Sequence, residues 1–402
     1  MTKRKQPYYS NSIINPIHQT ATYYFESTQE VIEYHEGEAE VGRYGRYDNP
    51  SWLAVEAQLA ALDQAETALL FPSGMSAITS TFMTFLSAGE KIVFTGKGYR
   101  NVRSLCYEYP DKFGVEAVSL PLLDSEDVYT QLADECSPNL KFVFLETPSN
   151  PHMFLIDVAR VRQIVGPDCL IMVDSTFSSP INFQPLAYGA DLVIHSCAKY
   201  LGGHGDIMAG SVAGTHELVG QLRRTRNVTG AIADPNTAFL LTRSLETLKV
   251  RMAYANEAGQ QLAEYLQDHP LIGRVLYTGL PTHPHHKIAD EMLSGHGGVV
   301  TFEVLADEPT VSKVVDSLTV PYMGTNFGSS HSMVEQLGLF TYYKQSEEER
   351  EDLGITDNLI RYSIGHSDSL DEIIADIDQA LSALLKQSSC AQLQKQDVVE
   401  VA

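Results

Sequence analysis

Lys199 closes the run Val193-Ile194-His195-Ser196-Cys197-Ala198-Lys199, just past an apolar stretch that reads as a strand. A lysine delivered to a crevice in this way is partly desolvated. Its pKa falls, and the neutral amine becomes a nucleophile toward an aldehyde, the chemistry of a Schiff base. Most lysines are solvated surface groups, so the reading needs companions. Asp174 is the first: it ends the apolar run Cys169-Leu170-Ile171-Met172-Val173, where burial penalises a carboxylate unless a cation offsets it. A protonated pyridine nitrogen is one such cation, and a structural arginine or a metal is another.

Further residues suit an anion. Phe71-Pro72-Ser73-Gly74-Met75-Ser76-Ala77 is a small-residue turn ahead of a helix-like run. Free N–H groups at a helix start bind a phosphate without a basic side chain, although the same pattern also serves as a plain cap. Ser196 either adds a hydroxyl to that anion or is a strand-end turn residue. Tyr44-Gly45-Arg46 puts a phenol and a guanidinium on one side if extended, both suited to phosphate, or it is a surface loop. Tyr99 either lies on a flat ring or is a core or interface residue. Arg361, inside the strand-like Leu359 to Ile364, is a clamp for a carboxylate or half of a structural ion pair. Aldehyde, pyridine and phosphate occur together in pyridoxal 5'-phosphate (PLP). His283, His285 and His286 in Pro281-Thr282-His283-Pro284-His285-His286 invite a metal, but a proline-rich turn reads as an exposed loop, and no metal is expected.

The elements that must position these groups alternate. Strand-like runs Lys91 to Phe94, Lys141 to Glu146, Cys169 to Asp174 and Asp191 to His195 are separated by helix-like stretches such as Ser51 to Glu66 and Asp157 to Val165. The rhythm predicts an α/β fold with a large, mostly parallel central sheet, whose ligands bind beyond the carboxyl ends of the strands, where Glu146, Asp174 and His195 to Lys199 fall. Asn236 to Asp268 is periodic in leucine and free of proline, which predicts one long connecting helix. Strands over Gly298 to Leu305 and Leu359 to Ile364 and a helix over Asp371 to Leu385 predict a smaller C-terminal α/β domain. The expected division is 1–46 arm, 47–235 cofactor domain, 236–387 C-terminal domain and 388–402 flexible tail.

Composition narrows the class. The 402 residues are 44% hydrophobic and 20% charged, ordinary globular usage. Lys plus Arg number 28 against 51 Asp plus Glu, a net charge of −23, which disfavours nucleic acid and anionic membranes as partners. No signal-peptide or membrane-spanning run is evident, so a cytoplasmic location is expected. Cys106, Cys136, Cys169, Cys197 and Cys390 are scattered without a Cys-x-x-Cys pair and read as reduced packing thiols. The acidic segments Glu33 to Glu40 and Ser346 to Asp352 read as solvated loops or helix faces.

Taken together, in order and spacing, these residues from about Asn15 to Leu385 resemble the Cys/Met-metabolism PLP enzymes: cystathionine γ-synthase, cystathionine γ- and β-lyases, methionine γ-lyase and O-acylhomoserine sulfhydrylases. The resemblance implies the aspartate-aminotransferase-like PLP fold-type I. Val173-Asp174-Ser175-Thr176-Phe177 resembles the stretch carrying the pyridine-binding carboxylate, with Thr176 beside the cofactor. His195-Ser196-Cys197-Ala198-Lys199-Tyr200-Leu201-Gly202-Gly203-His204 resembles the one carrying the imine lysine. Ser73-Gly74-Met75 is similar to the phosphate turn, and Tyr44 and Arg46 to a Tyr-x-Arg element that reaches the phosphate from the neighbouring subunit. That implies shared active sites in a dimer at least, usually a tetramer. Tyr99 matches the ring-stacking tyrosine, a candidate acid or base. Asn150 in Glu146-Thr147-Pro148-Ser149-Asn150-Pro151 matches an asparagine near the phenolic oxygen, and Arg361-Tyr362-Ser363-Ile364-Gly365 looks like the carboxylate-binding element.

Departures cluster where substrates are chosen. Ala198 replaces a threonine, Tyr99 is followed by Arg100-Asn101-Val102, and Asn326-Phe327-Gly328-Ser329-Ser330-His331-Ser332 stands where Ser-Leu-Gly-x-x-Glu-Ser is common. Asn326 and His331 are thus candidate substrate residues. The implied activity is γ-replacement or γ-elimination on a small sulfur-containing or O-acylated amino acid. Alternatives are β-elimination, addition of a non-sulfur nucleophile, and a non-catalytic PLP-binding scaffold.

Overall fold

The structure, a computed structural model, describes residues 13–37, 42–96, 98–121 and 127–383. The expected tail 388–402, Cys390, the first twelve residues of the arm and part of the first acidic segment lie outside them. Seven strands form the large sheet: β1 (Thr67–Phe71), β2 (Lys91–Thr95), β3 (Glu116–Leu120), β4 (Leu140–Glu146), β5 (Leu170–Asp174), β6 (Leu192–Ser196) and β7 (Gly210–Gly214), in the order β1-β7-β6-β5-β4-β2-β3. The pairings from β3 through β6 are parallel, and β7 runs against both of its neighbours.

Alternation along the strands sends side chains to two helical layers, as a sheet buried on both faces requires. Ile92, Phe94, Phe142, Phe144, Met172 and Ile194 pack on one side with Ile78 and Phe82 of the helix Gly74–Phe85. Val93, Val143, Leu145, Ile171 and Val173 pack on the other with Val158 and Val161 of the helix Val158–Val165. The sequence reading anticipated β2, β4, β5 and β6 but not β1, β3 or β7. β7 (Gly-Ser-Val-Ala-Gly) lacks strand-forming bulk at its ends, and its glycine has a tertiary cause: a Cβ on Gly210 would lie 2.4 Å from the Ser73 carbonyl oxygen.

The expected single connecting helix is corrected to two, Pro235–Leu245 and Leu248–Gln267. Periodicity continues across the break, but Arg251 holds it open. Its guanidinium donates to the carbonyls of Ser244 at 2.8 Å, Leu201 at 3.2 Å and Tyr200, so carbonyls of the first helix and of the turn after Lys199 share one cation.

The second sheet contains β8 (Ile272–Leu276), β9 (Val299–Val304), β10 (Tyr322–Met323), β11 (Met333–Gln336) and β12 (Leu359–Ser363), ordered β10-β11-β12-β9-β8. One face is apolar: Val300, Phe302, Val334, Ile360 and Tyr362 pack on Leu262 and Leu266 of the second helix and on Ile373 and Ile377. The other carries Thr301, Glu335, Arg361 and Ser363, all buried. Residues 370–383 are helical as expected. The acidic helices Thr28–Glu36 and Glu347–Asp352 contain no buried residue. Among the described residues no helix is long and apolar enough to cross a membrane.

Candidate active site

β5 and β6 end side by side, so that Asp174 and Lys199 arrive at the same edge of the large sheet. Lys199 follows β6 in a turn closed by Lys199 N–H donating to Ser196 at 3.2 Å. Its ammonium donates to Asn326 Oδ1 and lies 5.0 Å from the Phe327 ring centroid. Phe327 stacks on Phe177 at 4.2 Å and meets Tyr200 edge-on, which walls the lysine with aromatic surface. Burial, and then the nearby Arg361 charge, lower the Lys199 pKa to about 8, with Glu335 opposing them. The unusual residues at 326 and 327 thus touch the lysine itself.

Asp174 is buried, and burial raises its pKa against two hydrogen bonds from Thr176. Those bonds, from the Thr176 amide at 3.0 Å and hydroxyl at 2.5 Å, both end on Oδ1, so Oδ2 retains the capacity to take a cationic donor. The Thr176 hydroxyl in turn accepts from the Ser196 amide at 2.9 Å, tying β6 to β5. On the neighbouring strand Glu146 is in register with Asp174. Burial, and then the Asp174 charge, raise the Glu146 pKa to about 8, although it accepts the amides of Tyr99 at 2.5 Å and Asn150 at 3.0 Å. Glu146 therefore sets the backbone at two candidate residues. Gly98 is what allows this approach, because a Cβ there would lie 2.8 Å from Glu146 Oε2.

Ser73 caps the helix Gly74–Phe85, its hydroxyl accepting from Ser76 N–H at 3.0 Å. Gly74 backs onto Ser196: an added Cβ would sit 3.1 Å from Ser196 Cβ. A helix N-terminus, Met75 in its first turn and a serine hydroxyl thus share one small-residue cradle beside Lys199.

Arg361 comes from the polar face of the second sheet. It is buried, ion-paired with Glu335 at 2.6 Å, and donates to Asn150 Oδ1 at 2.9 Å and the Thr325 carbonyl at 2.8 Å. Asn150 therefore joins the two sheets, assisted by Thr301 Oγ1 donating to the Pro151 carbonyl at 2.9 Å. The sequence offered clamp and ion pair as alternatives for Arg361; the structure contains the ion pair, and Arg361 also acts on the lysine electrostatically.

Other candidates lie elsewhere. Tyr44 to Tyr47 is a turn, not an extended segment, with Tyr47 N–H donating to the Tyr44 carbonyl at 2.9 Å. Arg46 sits over the Tyr47 and Tyr44 rings at 4.7 and 5.6 Å and donates to the Asn227 carbonyl. With Gln19, Trp52 and Pro235, Tyr44 and Arg46 line a surface cleft that contains neither Ser73 nor Lys199. Tyr99 is 44% exposed, its hydroxyl accepting from Asn101 Nδ2 at 3.1 Å. His331 is exposed and packs edge-on against Tyr322.

The exposed-loop expectation for the histidine turn is corrected: His283 is buried, and His285 and His286 are half-buried. His283 bonds the His152 carbonyl at 3.0 Å, while Phe154 stacks on His152 and lies against His285. The turn packs against residues 152–155, which composition alone does not show. Also missed was the buried pair His195–Asp63 at 2.8 Å. Burial opposes charge on His195, but Asp63, Asp174 and the Ser175 backbone together outweigh it and the pKa is raised.

The donor set suits PLP: a lysine with a depressed pKa, a buried carboxylate with an uncommitted oxygen, and an uncharged anion cradle. Comparisons with known proteins agree. The family described as Cys/Met metabolism PLP-dependent enzyme matches residues 1–382. Cystathionine gamma-synthase 1, chloroplastic, of Arabidopsis thaliana is 37% identical over 93% of this chain, which spans 66% of that relative's length. L-methionine gamma-lyase of Fusobacterium nucleatum subsp. polymorphum is 33% identical over 92% of this chain and 93% of its own. The crystal structure of cystathionine gamma synthase from Xanthomonas oryzae pv. oryzae in complex with aminoacrylate and cysteine has a TM-score of 0.85 at 30% identity, covering 92% of this chain and 93% of that one. With the lysine, the carboxylate and the anion cradle gathered at one sheet edge, and with a family match over nearly its whole length, the chain belongs to the Cys/Met metabolism PLP-dependent enzymes.

Proposed function

We propose that the chain catalyses γ-replacement or γ-elimination on a sulfur-containing or O-acylated amino acid. The observation that carries this reading is the meeting of Lys199 with Asn326 and the Arg361 charge where the two sheets face each other. When bound, PLP supplies the electron sink that allows a Cα proton to leave and a γ-substituent to be expelled or exchanged. In this reading Lys199 anchors the cofactor and, with a pKa near 8, its amine accepts and returns the proton at near-neutral pH. Asp174 holds the pyridine nitrogen protonated, with Thr176 fixing its orientation. The amides of the Ser73, Gly74 and Met75 turn and the Ser196 hydroxyl would receive the phosphate, Tyr99 would serve the ring and exchange protons, and Asn150 would serve the phenolic oxygen. Arg361 orients the substrate carboxylate, and Asn326 and His331 meet the rest of the substrate.

Tyr44 and Arg46 serve a neighbouring subunit's phosphate in this reading, which makes the working unit a dimer at least and, by family resemblance, a homotetramer. Their separation from Ser73 within one chain supports that role. A cytoplasmic setting goes with it, in keeping with the free thiols of Cys106, Cys136, Cys169 and Cys197. The test is to assay the purified, PLP-loaded protein with cystathionine, O-acylhomoserines, methionine and cysteine for 2-oxobutyrate, pyruvate and new thioethers. Thioethers or 2-oxobutyrate are expected; pyruvate alone would replace the reading with β-elimination. Borohydride reduction and peptide mapping are expected to place the pyridoxyl group on Lys199.

A further inference from the structure

Glu335, Arg361 and Thr301 form one row across β11, β12 and β9, each directly opposite the next. All three are on the polar face and buried. Arg361 is 3% exposed and Glu335 0%, with Nη2 and Oε1 2.6 Å apart. The second carboxylate oxygen of Glu335 accepts from Thr341 Oγ1 at 2.7 Å, so Glu335 is held from behind. Arg361 spends Nη1 on Asn150 and Nη2 on the Thr325 carbonyl, while its buried Nε has no acceptor. A buried N–H without an acceptor is costly and keeps one unused donor on the guanidinium.

We infer that Glu335 sets how strongly Arg361 takes up a carboxylate, as a resident counterion that favours zwitterionic amino acids over plain carboxylates and 2-oxo acids. This rests on the reading above that Arg361 receives the substrate carboxylate. A bare buried guanidinium would attract any anion that fits. Paired with Glu335 it is neutral overall, so the site is tolerable when empty and a plain anion finds no net positive charge. An α-amino acid brings an ammonium with its carboxylate and does not leave the site with an unbalanced negative charge. The residue acts through Arg361 and is a positioning residue. Its effect is therefore expected in KM and in inhibitor affinity more than in kcat.

Sodium propionate, a carboxylate without an amino group, is the probe. It is titrated as an inhibitor of the PLP-loaded wild type, Glu335→Gln and Arg361→Gln proteins, and its effect on Tm is recorded in parallel. Glu335→Gln is expected to bind propionate about tenfold more tightly, with a larger propionate-induced rise in Tm than wild type, while the amino-acid substrate KM changes much less than that. A merely structural glutamate would give the opposite, since a displaced Arg361 binds carboxylates less well. Equal or weaker propionate binding by Glu335→Gln, with Arg361→Gln abolishing it, overturns the counterion role and leaves Arg361 as the carboxylate receiver. Propionate binding that survives Arg361→Gln overturns both. If Glu335→Gln does not fold, Glu335→Asp, which withdraws the carboxylate by one methylene, is expected to tighten propionate binding by about threefold; no tightening there rejects the inference.

Discussion

At Lys199 two influences compete: burial and the Arg361 charge drive the proton off, and Glu335 retains it, leaving a pKa of about 8 against an ordinary 10.5. The neutral amine therefore accumulates as pH rises toward and past 8, and a rate that depends on it climbs over the same interval. Asn326→Asp would put a carboxylate in place of the amide oxygen that now accepts the lysine proton, favouring the charged form. The alkaline rise of kcat with pH is expected to move upward by about one unit or more, read from a pH–rate profile of the PLP-loaded variant. An unshifted profile would mean that Lys199 does not set that limb. At this scale much was visible in the order of residues, because Asp174 ends one apolar strand and Lys199 follows another closely, where few reasons exist for charge. Glu335 was not visible, since its meaning lies in facing Arg361 across two strands far apart in the chain.

Among the elements, periodicity disclosed the parallel strands and failed where a tertiary contact overrides local pattern. The helical stretch after Asn236 reads as unbroken, yet Arg251 captures carbonyls at its interruption and from the turn that follows Lys199. Arg251→Met should expose that dependence by leaving those carbonyls unpaired. A loss of about 3 kcal/mol or more is expected from the urea midpoint, with weakened cofactor retention because the Lys199 turn loosens. The histidine turn gives a prediction of opposite character. Burial holds the His283 pKa down at about 4 against an ordinary 6.5, so the folded protein carries it neutral. Between those values the unfolded chain binds the extra proton. Its stabilising contribution is complete above about pH 6.5 and is lost as pH falls toward 4, on the order of 3 kcal/mol in all. His283→Asn is expected to flatten the fall of Tm between pH 7 and 5; an unchanged slope would assign the acid sensitivity elsewhere.

For the molecule as a whole, the proposed service of Tyr44 and Arg46 to a neighbouring subunit's phosphate predicts complementation. Lys199→Ala and Arg46→Ala proteins, each of low activity, are mixed under conditions that reshuffle subunits. Random pairing leaves about a quarter of the sites with both residues intact, and activity should recover toward that fraction. No recovery, with exchange verified by mass, would confine each site to one chain. The two-faced second sheet has a consequence of another kind. β12 alternates Ile360 and Tyr362 into the apolar packing with Arg361 and Ser363 on the polar side, so each fixes its neighbour's orientation. Inserting a single residue in this strand would invert the whole set, thrusting a guanidinium among hydrocarbon and an apolar side chain toward the crevice. Point changes here adjust chemistry; shifts of reading position along the strand destroy it, and the length of this segment is more constrained than its composition.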